Sequence, residues 1–81
     1  MNTHTQYQLP KDPVQAVVCM DLIGRIAAAA QLRKEISDER NRRALSGYAD
    51  TGSYRFTEML VADGIEQRAR AELVRRGALV N

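Results

Sequence analysis

Apolar residues recur every three or four positions through the first half of the chain. They are Val14, Val18, Leu22, Ile26, Ala29, Leu32 and Ile36. Residues at this spacing lie on one face of an α-helix. Asp12 is suited to cap the start of that helix, with Pro13 at its first position, and Gly47 is suited to end it. The pattern therefore predicts one long helix over about residues 13–46.

The length of this helix restricts the overall shape. A helix over residues 13–46 is about 50 Å long at 1.5 Å per residue. A round domain of 81 residues has a radius of gyration of about 12 Å and a diameter of about 30 Å. Two alternatives follow. Either the helix breaks at Gly24, or the molecule is an elongated helical hairpin that packs against another copy or a partner.

The apolar pattern after the long helix indicates a second helical arm. Ser53 is suited to cap a helix that begins at Tyr54. Its apolar side then carries Phe56, Met59 and Leu60. In the same register Ile65 falls on the opposite side, so this apolar side does not continue.

We therefore predict a second arm broken near Asp63–Gly64, with helices over about 54–62 and 64–76. The acid and the glycine resemble a new capping sequence, and Gly77 is suited to end the last helix. One kinked helix is the alternative. The predicted fold is all-α, a helical hairpin forming a single small domain over residues 1–81.

The first eleven residues alternate in a way that is typical of extended backbone. Thr3, Thr5, Tyr7 and Leu9 fall on one side, and the segment ends near Pro10. Two interpretations stay open for this arm. It is either flexible, or strand-like and paired with a partner or with the C-terminal segment 77–81.

The first half of the long helix is apolar on nearly all sides, which predicts self-association. Asp21 and Arg25 chiefly interrupt it, at a spacing that suits an ion pair. A helix that is apolar all round is normally covered by other protein. We therefore expect a homo-oligomer, with a dimer as the first guess. The predicted self-association residues are Val18, Leu22, Ile26, Ala28 and Ala29.

Toward the end of the long helix the apolar seam becomes a basic one. Pairs of Asp38 with Arg42 and of Glu39 with Arg43 are expected from spacing. Arginine and tyrosine are enriched at the energetically important positions of protein interfaces. The predicted partner-binding residues are Arg33, Arg40, Arg43, Tyr48, Tyr54 and Arg55. A protein partner is favoured over nucleic acid or another anionic ligand, because acids are interleaved with the bases and the net charge is only +2.

One short stretch resembles a catalytic motif. Asp50-Thr51-Gly52-Ser53 spells the active-site turn of aspartic proteases, but its flanks predict helices where such proteases have strands. A turn between two helices explains the same letters. His4 and Cys19 are the only residues of their types, so paired metal ligands are missing. We predict a non-enzymatic protein with no catalytic residue, metal or cofactor.

The remaining expectations concern location and type of function. The single cysteine indicates a reducing compartment. Residues 14–30 are interrupted by Asp21 and Arg25, so we expect a cytoplasmic protein without a membrane span. A small chain with no catalytic group and one large apolar helix face is of the general type of the regulators and inhibitors that phages and mobile elements encode.

Overall fold

The computed structural model describes residues 6–47 and 53–80. They form two helices, α1 (Pro13–Leu45) and α2 (Phe56–Arg75). The helices pack side by side in opposite directions, because α1 residues late in the helix contact the start of α2 and earlier ones contact its end. The predicted all-α helical hairpin is confirmed.

The long helix begins and ends at the predicted signals. The Asp12 side chain accepts a hydrogen bond of 3.0 Å from the Gln15 N–H, and Pro13 occupies the first turn. Gly47 follows the last turn with φ +88°, a left-handed conformation that favours glycine. Between these ends α1 runs unbroken through Gly24. The molecule measures 53 × 29 × 16 Å, so the elongated hairpin is the correct alternative.

The second helix begins later than predicted. It starts at Phe56, with Arg55 at the N-cap position in a left-handed conformation of φ 53° and no side-chain cap bond. The Phe56 N–H instead donates to the Ser53 carbonyl at 3.1 Å. The left-handed backbone of a residue with a Cβ costs about 1–2 kcal/mol. Contacts of the Arg55 side chain with Glu39 and Glu58 hold it in place.

The predicted break near Asp63–Gly64 is wrong, because α2 is continuous there. The buried side of α2 consists of Ala62, Glu66, Ala69 and Leu73. Phe56 and Leu60, taken from the sequence as the inner side, are exposed. The true inner side combines Leu73 with small residues and a glutamate, so the search for large apolar residues misplaced its first half. A helical glycine at position 64 costs only about 1 kcal/mol relative to alanine.

The buried seam of α1 follows a repeat of three and four residues, as in coiled coils. Its positions are Cys19, Leu22, Ile26, Ala29, Arg33, Ile36, Arg40 and Arg43. The seam is apolar toward the open end of the hairpin and contains arginines in its middle and toward the closed end. It therefore combines a conventional core with polar layers.

The apolar core lies at the open end. Cys19, Ile26, Ala69, Leu73, Ala78 and Leu79 form it, with Tyr7, Leu22 and Ile23 packed against it. The chain reaches this position after α2 because Gly77 turns with φ +74°, and the Ala78 N–H donates to the Leu73 carbonyl at 2.9 Å. This glycine stop agrees with the sequence.

Residues of the N-terminal arm pair with this C-terminal segment. Tyr7 and Leu79 form an isolated antiparallel bridge. The Gln8 N–H donates to the Ala78 carbonyl at 2.8 Å, and the Val80 N–H donates to the Gln6 carbonyl at 3.4 Å. Two interpretations were open for the arm. For residues 6–8, the structure shows the strand-like one, in which the arm pairs with the C-terminal segment.

The composition of α1 also bears on location. An 18-residue window within it has a mean hydropathy of 1.4, and 17% of that window is buried in the hairpin. By length and composition the helix is apolar enough to cross a membrane, and the core helix of a soluble protein meets the same criterion. The expectation from the sequence was that the charges of Asp21 and Arg25 exclude a membrane span. The length and composition of α1 show that they do not exclude one.

Candidate interaction surfaces

A charged layer crosses the middle of the hairpin. Glu66 on α2 is only 7% exposed and accepts hydrogen bonds from Arg33 on α1 and from Arg70 one turn later on α2. The Arg70 Nε lies 3.0 Å from the glutamate Oε2. Arg33, one of the predicted partner-binding residues, reaches across the seam, because a carboxylate distant in sequence lies opposite it.

A second polar cluster lies at the closed end; we call it the closed-end network. Its members are Glu39, Arg40, Arg43, Tyr54 and Arg55. The Tyr54 hydroxyl donates to Glu39 Oε2 at 2.7 Å, and Arg55 Nη1 donates to Glu39 Oε1 at 2.7 Å. Arg40 Nε donates to the Tyr54 carbonyl at 3.1 Å, and the Arg43 guanidinium lies 4.3 Å from the centre of the Tyr54 ring. The network thus fastens the start of α2 to the end of α1.

These contacts shift the acidity of the groups involved. The hydrogen bond from Tyr54, followed by the charges of Arg55 and Arg42, lowers the pKa of Glu39 below its ordinary value of 4.5. The same hydrogen bond raises the pKa of Tyr54, because the neutral phenol is the donor. Glu58 raises the pKa of Arg55. Glu39 is therefore the charged centre of the network near neutral pH.

The structure brings together four of the six predicted partner-binding residues. Arg40, Arg43, Tyr54 and Arg55 belong to the closed-end network. The fifth, Arg33, lies in the charged layer, and Tyr48 lies outside the described residues. The four that meet are bound to one another or to Glu39, so they have a structural role within the chain.

The ion pairs expected within α1 were partly wrong. Asp21 and Arg25 pair at 3.1 Å as predicted. Asp38 pairs with Lys34 at 3.0 Å, in the preceding turn, instead of Arg42. Spacing alone allows both partners.

An open groove runs between the helices on one broad side of the hairpin. On α1, Arg25, Ala28 and Leu32 recur at helical spacing and lie along one lip; Ile65 and Arg68 lie on the other. One hollow of about 420 Å³ adjoins a second of about 270 Å³. We call this surface the groove face. It consists of Leu22, Arg25, Ala28, Ala29, Leu32, Ala62, Ile65, Arg68 and Ala69.

The floor of the groove is apolar and its charges lie at one end. Arg25 and Arg68 both line the smaller hollow, on opposite lips. The Arg25 side chain is 62% exposed and pairs with Asp21. Arg68 has no carboxylate partner among residues 6–47 and 53–80. The larger hollow, which extends toward Leu32 and Ala62, is lined by Arg25 and otherwise by apolar residues.

The residues predicted for self-association divide between this groove and the core. Leu22, Ala28 and Ala29 line the groove. Ile26 is 6% exposed and packs in the core, so it belongs to the hairpin itself. Val18 is half-buried. The predicted self-association residues therefore include some that face α2 and others that border the groove.

Sequence reasoning missed an apolar surface near the closed end. Leu45, the last residue of α1, is 89% exposed. Phe56 and Leu60, one helical turn apart on α2, are also exposed. The correct register of α2, set by Ala62, would have placed both of these residues outside.

Comparisons with known proteins give no relative. No protein-family model matches the chain, and no curated protein or solved structure matches it significantly. The functional argument therefore depends on the surfaces themselves.

Proposed function

We propose that the protein is a small, non-enzymatic α-helical interaction protein of the cytoplasm, which self-associates and binds a protein partner in order to regulate or inhibit it. The open, apolar groove face is the observation that carries this proposal. A two-helix hairpin is one layer of helices thick, and stable helical domains normally cover both sides of such a layer.

The burial within α1 supports self-association. Only Cys19, Ile26, Ala29 and Ile36 of its 33 residues are buried, although the first half of the helix is apolar on most sides. Covering a large aliphatic side chain contributes roughly 1.5–3 kcal/mol. Leu32 and Ile65 on the groove face are half-buried and stand to gain part of that amount when another surface covers them.

The first experiment measures particle mass by light scattering across a range of protein concentrations. We expect more than one chain per particle for the unmodified protein. Ala28→Glu places a charge on the lip of the groove and should reduce the mass toward one chain. Ala27→Glu is the matched control, because Ala27 is exposed but does not line the groove. A single chain per particle for all three proteins would refute self-association.

For the partner surface we propose the exposed apolar residues near the closed end. Leu45, Phe56 and Leu60 present large apolar side chains to solvent. The arginines and tyrosine of the closed-end network then have a supporting role, since they fix the start of α2 that carries Phe56. Aromatic residues of this kind dominate binding energy at protein interfaces.

The partner is identified by capture from the native host followed by mass spectrometry. Phe56→Ser with Leu60→Ser should release the captured protein while helical circular dichroism is retained. The control is Val17→Ser, an exposed apolar residue near the opposite end of the molecule. If the double variant captures the same protein equally well, the closed end is not the binding surface.

Nucleic-acid binding is the alternative proposal, and ion pairing within the chain argues against it. Arg33, Arg55, Arg70, Arg75 and Arg76 each contact a glutamate, which reduces the charge available to phosphates. Nucleic-acid binding would be recognised by affinity that falls steeply with salt.

A further inference from the structure

We infer that the occupant of the groove face is a second copy of this chain, packed about a two-fold axis that crosses the groove at Ala28. The two hairpins then form an antiparallel four-helix bundle in which α1 of each copy lies against α1 of the other. This inference rests on the proposed self-association and specifies its geometry.

The dimensions of the hairpin suit this arrangement. The molecule is 16 Å thick, and its broad side measures 53 × 29 Å. A standard protein interface buries about 800 Å² on each partner, which is roughly half of that broad side. Two such layers stacked face to face give the two-layer architecture in which helices normally cover their apolar sides.

The charges on the groove select the direction of the axis. Arg25 and Arg68 lie on opposite lips at the same end. An axis running along the groove would place Arg25 of one copy over Arg68 of the other and so gather four guanidinium groups. An axis crossing the groove places the end with Arg25 and Arg68 of one copy over the end with Leu32 of the other copy. With the axis at Ala28, Arg25 of one copy lies level with the exposed, uncharged Gln31 of the other.

Gly24 provides an independent reason for placing the axis at Ala28. It interrupts the middle of α1 with a residue of poor helix propensity, and a Cβ built on it meets nothing within 4 Å. The hairpin alone therefore gives no steric reason for a glycine here. Gly24 is not among the residues that line the two hollows, but it lies beside the groove face, one turn before Ala28, and Leu32 lies one turn after Ala28. An axis at Ala28 sets Leu32 of one copy against Gly24 of the other, where the missing side chain leaves room for it.

Two substitutions test the geometry. Gly24→Leu fills the space that Leu32 of the other copy would occupy, while the isolated hairpin has room for the side chain. We expect the dimer dissociation constant to rise at least tenfold, with helical circular dichroism unchanged or increased. Ala27→Leu, off the groove face, should leave the constant within about twofold. An unchanged constant for Gly24→Leu would overturn the inference.

Disulfide crosslinking of the full chain then locates the axis. Ala28→Cys should form a linked dimer under mild oxidation, because the two Cβ atoms meet near the axis and a disulfide needs Cα atoms within about 7 Å. Ala27→Cys should not, and Cys19 is buried. A dimer by light scattering without a link at position 28 overturns this geometry but preserves self-association. A monomer by light scattering overturns both.

Discussion

Replacing Glu66 with glutamine should destabilise the hairpin strongly. The glutamate is 7% exposed. It binds Arg33 on α1, across the seam, and Arg70 one turn later on its own helix. Glutamine has nearly the same shape, so packing is preserved while the negative charge is lost. The guanidinium of Arg33 then remains in the seam without a carboxylate to neutralise it.

The magnitude follows from the burial of the two partners. Removing one member of a fully buried ion pair costs about 3–5 kcal/mol. The Arg33 side chain is 35% exposed, and solvent screens part of its charge, so we expect about 2 kcal/mol for Glu66→Gln. A domain of this size has a total stability on the order of 3–5 kcal/mol. Each kcal/mol shifts the melting temperature of such a domain by about 4–8 °C, so a drop of about 8–16 °C is expected.

The measurement is thermal unfolding by circular dichroism at one fixed protein concentration, because self-association makes the melting temperature depend on concentration. Glu35→Gln is the matched control, since Glu35 is exposed on α1, and it should shift stability by less than about 0.5 kcal/mol. The double variant Arg33→Leu with Glu66→Leu should recover most of the loss, because the Arg33 charge is removed together with its carboxylate. The charge of Arg70 remains, but this side chain is 39% exposed and its charge is screened by solvent. If Glu66→Gln melts within 2 °C of the unmodified protein, the buried charge is not what stabilises the middle of the seam.

Three further predictions concern the ends of the hairpin. The pKa of Glu39 is lowered in the folded protein. Its contribution to stability should therefore be present above about pH 4.5 and be lost as the pH falls through the folded pKa. Denaturant midpoints measured from pH 7 to pH 3 should fall less steeply for Glu39→Gln than for the unmodified protein. Gly77→Ala should cost about 1 kcal/mol, because its φ of +74° disfavours a Cβ, and an unchanged urea midpoint would contradict this. Asp12→Ala should cost about 1 kcal/mol by removing the N-cap, whereas Asp12→Asn should retain most of it in the same assay.

Much of the fold could be predicted because its signals are local. The start of α1 depends on Asp12 and Pro13, whose effect is confined to one turn of helix. The ends at Gly47 and Gly77 depend on backbone conformations that glycine adopts most readily. The periodicity of apolar residues identified α1 because it presents one long, regular stripe.

The register of α2 and the roles of the charged residues depend on contacts between residues that are far apart in the sequence. Glu66 is compatible with a buried position only because Arg33, far away in the sequence, lies opposite it. Once this pair is known, α2 is one helix and Phe56 faces outward. The candidate site changed for the same reason. Arg40 and Tyr54 interact because the hairpin brings them together.

The sequence by itself therefore determined an all-α helical hairpin, the start of α1 at Asp12 and the helix ends at Gly47 and Gly77, since each depends on neighbouring residues. The tertiary structure alone decided which side of each helix is inside. It showed that Arg33, Arg40, Arg43 and Arg55 make contacts within the hairpin, and that Leu22, Ala28 and Ala29 border an open groove. Which side is buried depends on the residue opposite, and that residue becomes known only when both helices are in place.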